Sequence, residues 1–249
     1  MPVEHVTVVP SATPRGPRGG VVVLQEAFGV TPYLLGVAGR LATAGWSAAV
    51  PHLYHRSGSP TFAYDVNHGD GVDGREPAAE AAAAEAIGPH AIQLTEAGVM
   101  ADVDDAIAEL GDQGIPPQNV GVLGFCFGGS VALYASGARQ LGAAVAFYGA
   151  GIAAPHFSVP AFADVATVRT TPLLGCYGAL DRWIPAADLD ILEREIARSP
   201  VPGQVNRYAG AGHGFHCDLR STYHEGAARA AWAQTLAWLD RYANFDSNY

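Results

Sequence analysis

Short, wholly apolar runs, each followed by a segment with helical spacing, constrain this chain more than any other feature. GVVVLQ (20–25), NVGVLGF (119–125), AAVAFYG (143–149) and TPLLGCYG (171–178) read as strands, with SAAVPHLY (47–54) and QVNRYAG (204–210) as two more. Between and after them, TPYLLGVAGRLATAG (31–45), EAGVMADVDDAIAELGDQ (96–113), GGSVALYASGARQ (128–140), PAADLDILEREIARS (185–199) and TYHEGAARAAWAQTLAWLDRYA (222–243) carry helical patterns. Apolar, non-alternating strands belong to a mostly parallel sheet, because only helices on both faces bury them twice. Right-handed crossovers then bring the strand C-terminal ends to one edge, where ligands bind. The expected fold class is α/β. Residues 56–92, rich in Gly, Asp, His and Ala, break the rhythm and read as a loop-plus-helix excursion near that edge. Its AAEAAAAEA stretch is expected to be a solvated helix.

Within that frame, Gly124-Phe125-Cys126-Phe127-Gly128 reads G-x-C-x-G, after a strand and opening a helix. This is the setting of a nucleophile elbow with sulfur in place of a serine oxygen. Glycines flank such a turn because side chains there would collide. The turn lifts Cys126 above the sheet and places it at a helix N-terminus, where the dipole favours a thiolate. An elbow of this kind calls for an acid and then a histidine, in chain order, each after a strand. LLGCYGALDRWIP supplies Asp181 and NRYAGAGHGFH supplies His213. Taken singly, Asp181 is a turn residue and His213 a loop histidine; taken together they fill the required order. Glu26, directly after an apolar strand in VVVLQEAFG, needs either an Arg partner or a functional role, since an unpaired carboxylate there is costly.

These segments resemble the dienelactone hydrolase family of the α/β-hydrolase superfamily. The matching pieces are QEAFGV (25–30), PHLYHR (51–56), GFCFGG (124–129), YGALDRWIP (177–185) and AGHGF (211–215), in order over nearly the whole chain. The resemblance implies one α/β-hydrolase domain over residues 1–249. It implies hydrolysis of small esters or lactones by a Cys126–His213–Asp181 triad through a thioester acyl-enzyme. It implies that Glu26 contacts the resting thiol and helps activate it, and that backbone N–H groups of Ala27 and Phe127 form the oxyanion hole. Tyr54, His55, Arg182, His216 and Cys217 are the expected pocket residues. In the family, arginines hold a substrate carboxylate, one of them four residues past the catalytic histidine; here that position is Cys217. Arg75 lies in the region that could supply another, and a less anionic ester or lactone is expected.

Composition narrows the alternatives. A net charge of −10 leaves no basic face for nucleic acid, and the 14 basic residues are all Arg, so no lysine chemistry is available. Cys126, Cys176 and Cys217 are widely spaced and odd in number, which fits a reducing, cytoplasmic setting and an inert Cys176 within its strand. The first 20 residues lack a signal-peptide core, and no apolar run is long enough to span a membrane. Two H-x-x-H pairs, His52/His55 and His213/His216, raise a metal site, but rings at a strand end splay apart and none is expected. No cofactor motif is present, and Trp232, Leu236 and Trp238 read as core packing on the last helix. Two rival readings remain: acyl transfer or lactone formation on the same triad, or a fold recruited for binding without catalysis. Oligomeric state is left open.

Overall fold

The apolar runs become the strands of one sheet in a computed structural model that describes residues 3–64 and 77–248. The strands are β1 (Val6–Val9), β2 (Gly20–Leu24), β3 (Ser47–Pro51), β4 (Val120–Phe125), β5 (Ala143–Phe147), β6 (Leu173–Gly178) and β7 (Gly203–Tyr208). Their order is β1-β3-β2-β4-β5-β6-β7, with β1 antiparallel to β3 and every other pairing parallel. The VTVV run of β1 is the one strand the apolar pattern did not announce. β7 lies at the opposite edge and is correspondingly half-buried.

The helices are α1 (Pro32–Thr43), α2 (Pro77–Ala91), α3 (Glu96–Gly111), α4 (Phe127–Ala138), the short α5 (Phe162–Val165), α6 (Ala186–Arg198) and α7 (Glu225–Tyr242). Their starts follow local chemistry. Thr31 accepts from the Leu34 N–H with Pro32 at the first helical position, and Thr95 accepts from the Gly98 N–H at 3.1 Å. The His224 ring accepts from the Ala227 N–H at 3.2 Å to begin α7. α4 carries apolar residues all round and is buried accordingly.

The core lies on both faces of β2 and β4, where Val21–Leu24 and Val120–Phe125 are wholly buried. Each such Val, Leu or Phe side chain contributes about 1.5–3 kcal/mol relative to exposure. Trp232, Leu236 and Trp238 pack against this core as expected. β4 is central, and its C-terminal end delivers Cys126 to the edge where β2, β6 and β7 also terminate. No helix among the described residues is long and apolar enough to cross a membrane.

Candidate active site

Cys126 joins β4 to α4 with φ 53° and ψ −113°, a region that side chains rarely adopt and that costs about 1–3 kcal/mol. The neighbouring glycines make the turn possible. A Cβ on Gly124 would run into the Gly128 carbonyl, and one on Gly129 would lie 2.6 Å from the Phe147 oxygen. The strained residue is fixed on both sides: its N–H donates to Phe147 O at 3.0 Å, and its carbonyl accepts from the Ser130 N–H at 3.1 Å. The Phe127 N–H heads α4 and has no intrahelical acceptor. Ala27, at the end of β2, lines the same cavity as Cys126.

Asp181 and His213 meet beside this turn. Asp181 Oδ2 lies 2.8 Å from His213 Nδ1, while Oδ1 accepts from the Trp183 N–H at 2.9 Å, so the carboxylate cannot rotate freely. The His213 ring also bonds the Cys126 sulfur. Burial alone would depress the imidazole, but the Cys126 sulfur and Asp181 outweigh it and raise His213 to about 10. The three residues therefore form a chain from carboxylate to imidazole to sulfur.

Glu26 is buried and fully engaged. Its Oε1 lies 3.3 Å from Arg220 Nη1, and its Oε2 accepts a short hydrogen bond from the Tyr64 hydroxyl. Burial opposes the charge on Arg220, and the Glu26 carboxylate more than offsets that cost; Tyr148 and the Cys126 sulfur add to this. Arg220 lies over Gly214, whose φ of 75° and missing side chain admit it. Arg220 comes from the loop that follows AGHGF, seven residues past His213, and is the Arg partner that Glu26 calls for.

The residues expected around the pocket divide sharply. A cavity of about 430 Å³ opens over Cys126, lined by His213, Arg220, Tyr148, His156 and apolar side chains that include Phe28 and Trp183. His216 does not line it. Gly214 turns the chain inward, and His216 packs against Phe125, Phe147 and Trp232 with its Nδ1 2.5 Å from the Tyr33 hydroxyl. Burial, helped by Arg40, lowers His216 to about 3. Cys217 is wholly buried, and burial pushes its thiol up to about 12, with Glu26 adding to the shift. Cys176 is likewise buried and pushed up to about 12.

Tyr54 is also absent from the lining; it lies beneath, and its hydroxyl donates to Ala27 O at 3.0 Å. His55 turns away altogether, stacking on His5 with its Nε2 3.1 Å from Asp102. Arg182 is exposed and lies over the ring of Trp183, which lines the mouth in its place. The H-x-x-H pairs do not converge: His52 bonds Thr7, His55 bonds Asp102, His213 bonds Asp181 and His216 bonds Tyr33. Among the described residues, His5, His55 and Asp102 alone group as metal ligands would, and Arg56 already grips both oxygens of Asp102 at 2.8 Å.

Of residues 56–92, part of helix α2 lines the cavity. Residues 65–76, including Arg75, lie outside the described residues. Helix α2 is not simply a solvated helix: Ala83, Ala84, Ile87 and Gly88 form one wall of the cavity. Sequence reasoning missed Arg220, Tyr148, His156 and Trp183. For Tyr148 a signal was available, since it directly follows β5 in the run that ends at Gly149.

A parallel sheet with a strained elbow at the end of its central strand, and an acid and a histidine following the last two strands, β6 and β7, defines the α/β-hydrolase class. Comparison with known proteins agrees: the model of the dienelactone hydrolase family matches residues 6–243, and the chain belongs to that family. It is 29% identical over 248 residues to the carboxymethylenebutenolidase of Rhodococcus opacus, covering 98% of this chain and 89% of the relative. The crystal structure described as "Putative Dienelactone Hydrolase from Klebsiella pneumoniae subsp. pneumoniae MGH 78578" superposes with a TM-score of 0.78 at 26% identity, over 95% of this chain and 99% of that one. The dienelactone hydrolase-like phosphotriesterase P91, from metagenomic libraries, shares the fold at TM-score 0.68 and 22% identity, over 96% and 99% of the two chains. The protein is an ester or lactone hydrolase of the dienelactone hydrolase type.

Proposed function

We propose that this hydrolase cleaves small esters or lactones through a thioester on Cys126. The observation that carries the proposal is His213, whose ring bonds both Asp181 and the Cys126 sulfur at the floor of an apolar cavity. Asp181 fixes the tautomer and orientation of His213. With the proton on His213, the sulfur attacks the ester carbonyl and the carbonyl π-electrons move onto oxygen. The N–H groups of Ala27 and Phe127 stabilise that oxyanion; one such donor is worth about 10²–10³ in rate. Collapse expels the alkoxide, which takes the proton from His213 and leaves as an alcohol. Water then gives a proton to His213, attacks the thioester and releases the acid, returning sulfur and imidazole to their starting state. For a lactone, alcohol and acid end on one molecule. The carboxymethylenebutenolidase activity named for the Rhodococcus relative supports the lactone reading.

Glu26 has a supporting part here. It compensates the Arg220 charge beside the sulfur, so the pair sets the local field instead of handling the proton. Release of p-nitrophenol from p-nitrophenyl acetate in the pre-steady state tests the scheme. A burst stoichiometric with enzyme, lost in Cys126→Ala, is expected. A burst that survives in the variant would assign the acylation to another group.

A further inference from the structure

The chemistry above leaves two polar side chains of the cavity unused, Tyr148 and His156, and the Tyr148 hydroxyl is itself buried away from the cavity surface. His156 comes from the loop between β5 and α5, where its backbone pairs with Val159 in both directions, at 3.0 and 3.1 Å. Its ring is held as firmly as its backbone. Nδ1 lies 2.8 Å from the Ser130 hydroxyl, one turn along α4 from Cys126, and the rings of Phe127 and Phe157 pack against it. The other ring nitrogen, Nε2, has no hydrogen-bond partner among the described residues, although the side chain lines the cavity. The Ser130 hydroxyl has a second acceptor, Cys126 O, but at 3.4 Å that bond is long. Donation to Nδ1 at 2.8 Å is the better use of its proton, and it leaves Nε2 carrying a hydrogen.

The charges around the cavity are otherwise closed. Arg220 pairs with Glu26, His213 pairs with Asp181 and the sulfur, and the remaining described walls are mostly apolar. Burial, with His213 nearby, holds His156 down near about 4, so it offers a hydrogen bond without a charge. A substrate carboxylate entering here meets no unpaired cation among the described lining residues.

We propose that His156 is a specificity residue: its Nε2–H donates to an uncharged oxygen on the acyl part of the substrate, whose body is otherwise apolar. The acyl side is assigned because the leaving oxygen must face His213 to receive its proton, which turns the acyl chain toward the remaining polar group. The substrate class is then a neutral ester or lactone bearing a ketone, ether or second ester oxygen. This rests on the reading that acylation occurs at Cys126.

Three p-nitrophenyl esters of matched length test it: the pentanoate, the 4-oxopentanoate and the monoester of glutaric acid. In the wild type, kcat/KM for the 4-oxopentanoate is expected about fivefold above the pentanoate, the weight of one neutral hydrogen bond. The glutarate monoester is expected about a hundredfold below the pentanoate, since its carboxylate is buried unpaired. In His156→Phe the 4-oxopentanoate to pentanoate ratio falls to about one, and His156→Gln, which keeps an N–H donor, restores part of it. An unchanged ratio in His156→Phe, or a wild-type preference for the glutarate monoester, overturns the proposal. If no ester gives a burst that Cys126→Ala removes, the reading of the site falls and this proposal with it. A normal burst with indifferent ratios overturns this proposal alone.

Discussion

Arg220 Nη1 stands 3.3 Å from Glu26 Oε1 across 194 positions of sequence, in a pair whose side chains are almost fully buried. It ties the end of β2 to the loop beyond His213, so the two segments that carry site residues are joined by charge as well as packing. A buried pair gains little over an apolar one, but removing one partner leaves the other uncompensated.

Glu26→Gln is therefore expected to lower stability by about 3 kcal/mol, read as a fall in denaturant midpoint at constant slope. Arg220→Met should cost a similar amount. The double variant should cost clearly less than the sum, because neither charge is then stranded. Additive losses would show that the pair is not coupled.

Gly124→Ala bears on the turn itself. Its Cβ would meet the Gly128 carbonyl, a backbone atom that cannot swing aside. The expected cost is about 3 kcal/mol or more, with loss of soluble, cooperatively folding protein. Thermal unfolding that matches the wild type would mean the β4–α4 turn can open without penalty.

Much of this was legible in advance, and the residues show why. The strands of the parallel sheet announce themselves because burial on both faces demands unbroken apolar runs, as in VGVLGF. Cys126, Asp181 and His213 are legible because each sits in a local pattern of strand followed by tight turn. Arg220 was hidden because its partner, Glu26, is brought to it only by the completed sheet. HGFHCD reads as one continuous pocket loop, yet the positive φ of Gly214 sends His216 and Cys217 behind the site. His55 follows β3 toward the edge, but the turn after it swings the ring to Asp102 on α3. The alanines of α2 read as a solvated face because composition does not say which wall they form.

Tyr54 offers a test of the oxyanion hole that leaves the triad intact. Its hydroxyl holds the Ala27 carbonyl at 3.0 Å, and burial raises its pKa, so it stays a donor. Tyr54→Phe should cost about 1 kcal/mol in stability. If the Ala27 N–H serves the transition state, kcat should fall about tenfold with KM little changed, since the loss is felt where negative charge develops. Equal losses in kcat and KM, or none, would count against Ala27 as a donor.

His216 gives the fold a pH dependence of definite sign. Burial, seconded by Arg40, lowers its pKa from 6.5 to about 3, so the folded state holds it neutral while the unfolded chain can protonate it. Between those values the unfolded state binds more protons, and stability must fall as pH falls. The contribution is complete above pH 6.5 and declines progressively toward pH 3. From pH 7 to pH 5 the loss should be about 2 kcal/mol, at 1.36 kcal/mol per unit of pH once protonation of the unfolded chain is under way. His156, lowered to about 4 by burial and His213, adds to the same slope, so the residue must be isolated by substitution. His216→Phe keeps an aromatic ring among Phe125, Phe147 and Trp232 but cannot titrate. It also strands the Tyr33 hydroxyl, so the variant should be less stable at pH 7 yet lose distinctly less than the wild type on acidification. Denaturant midpoints at pH 7, 6 and 5 for both proteins would measure the two slopes. Parallel slopes would show that acid lability arises elsewhere and that His216 is not held neutral by its burial.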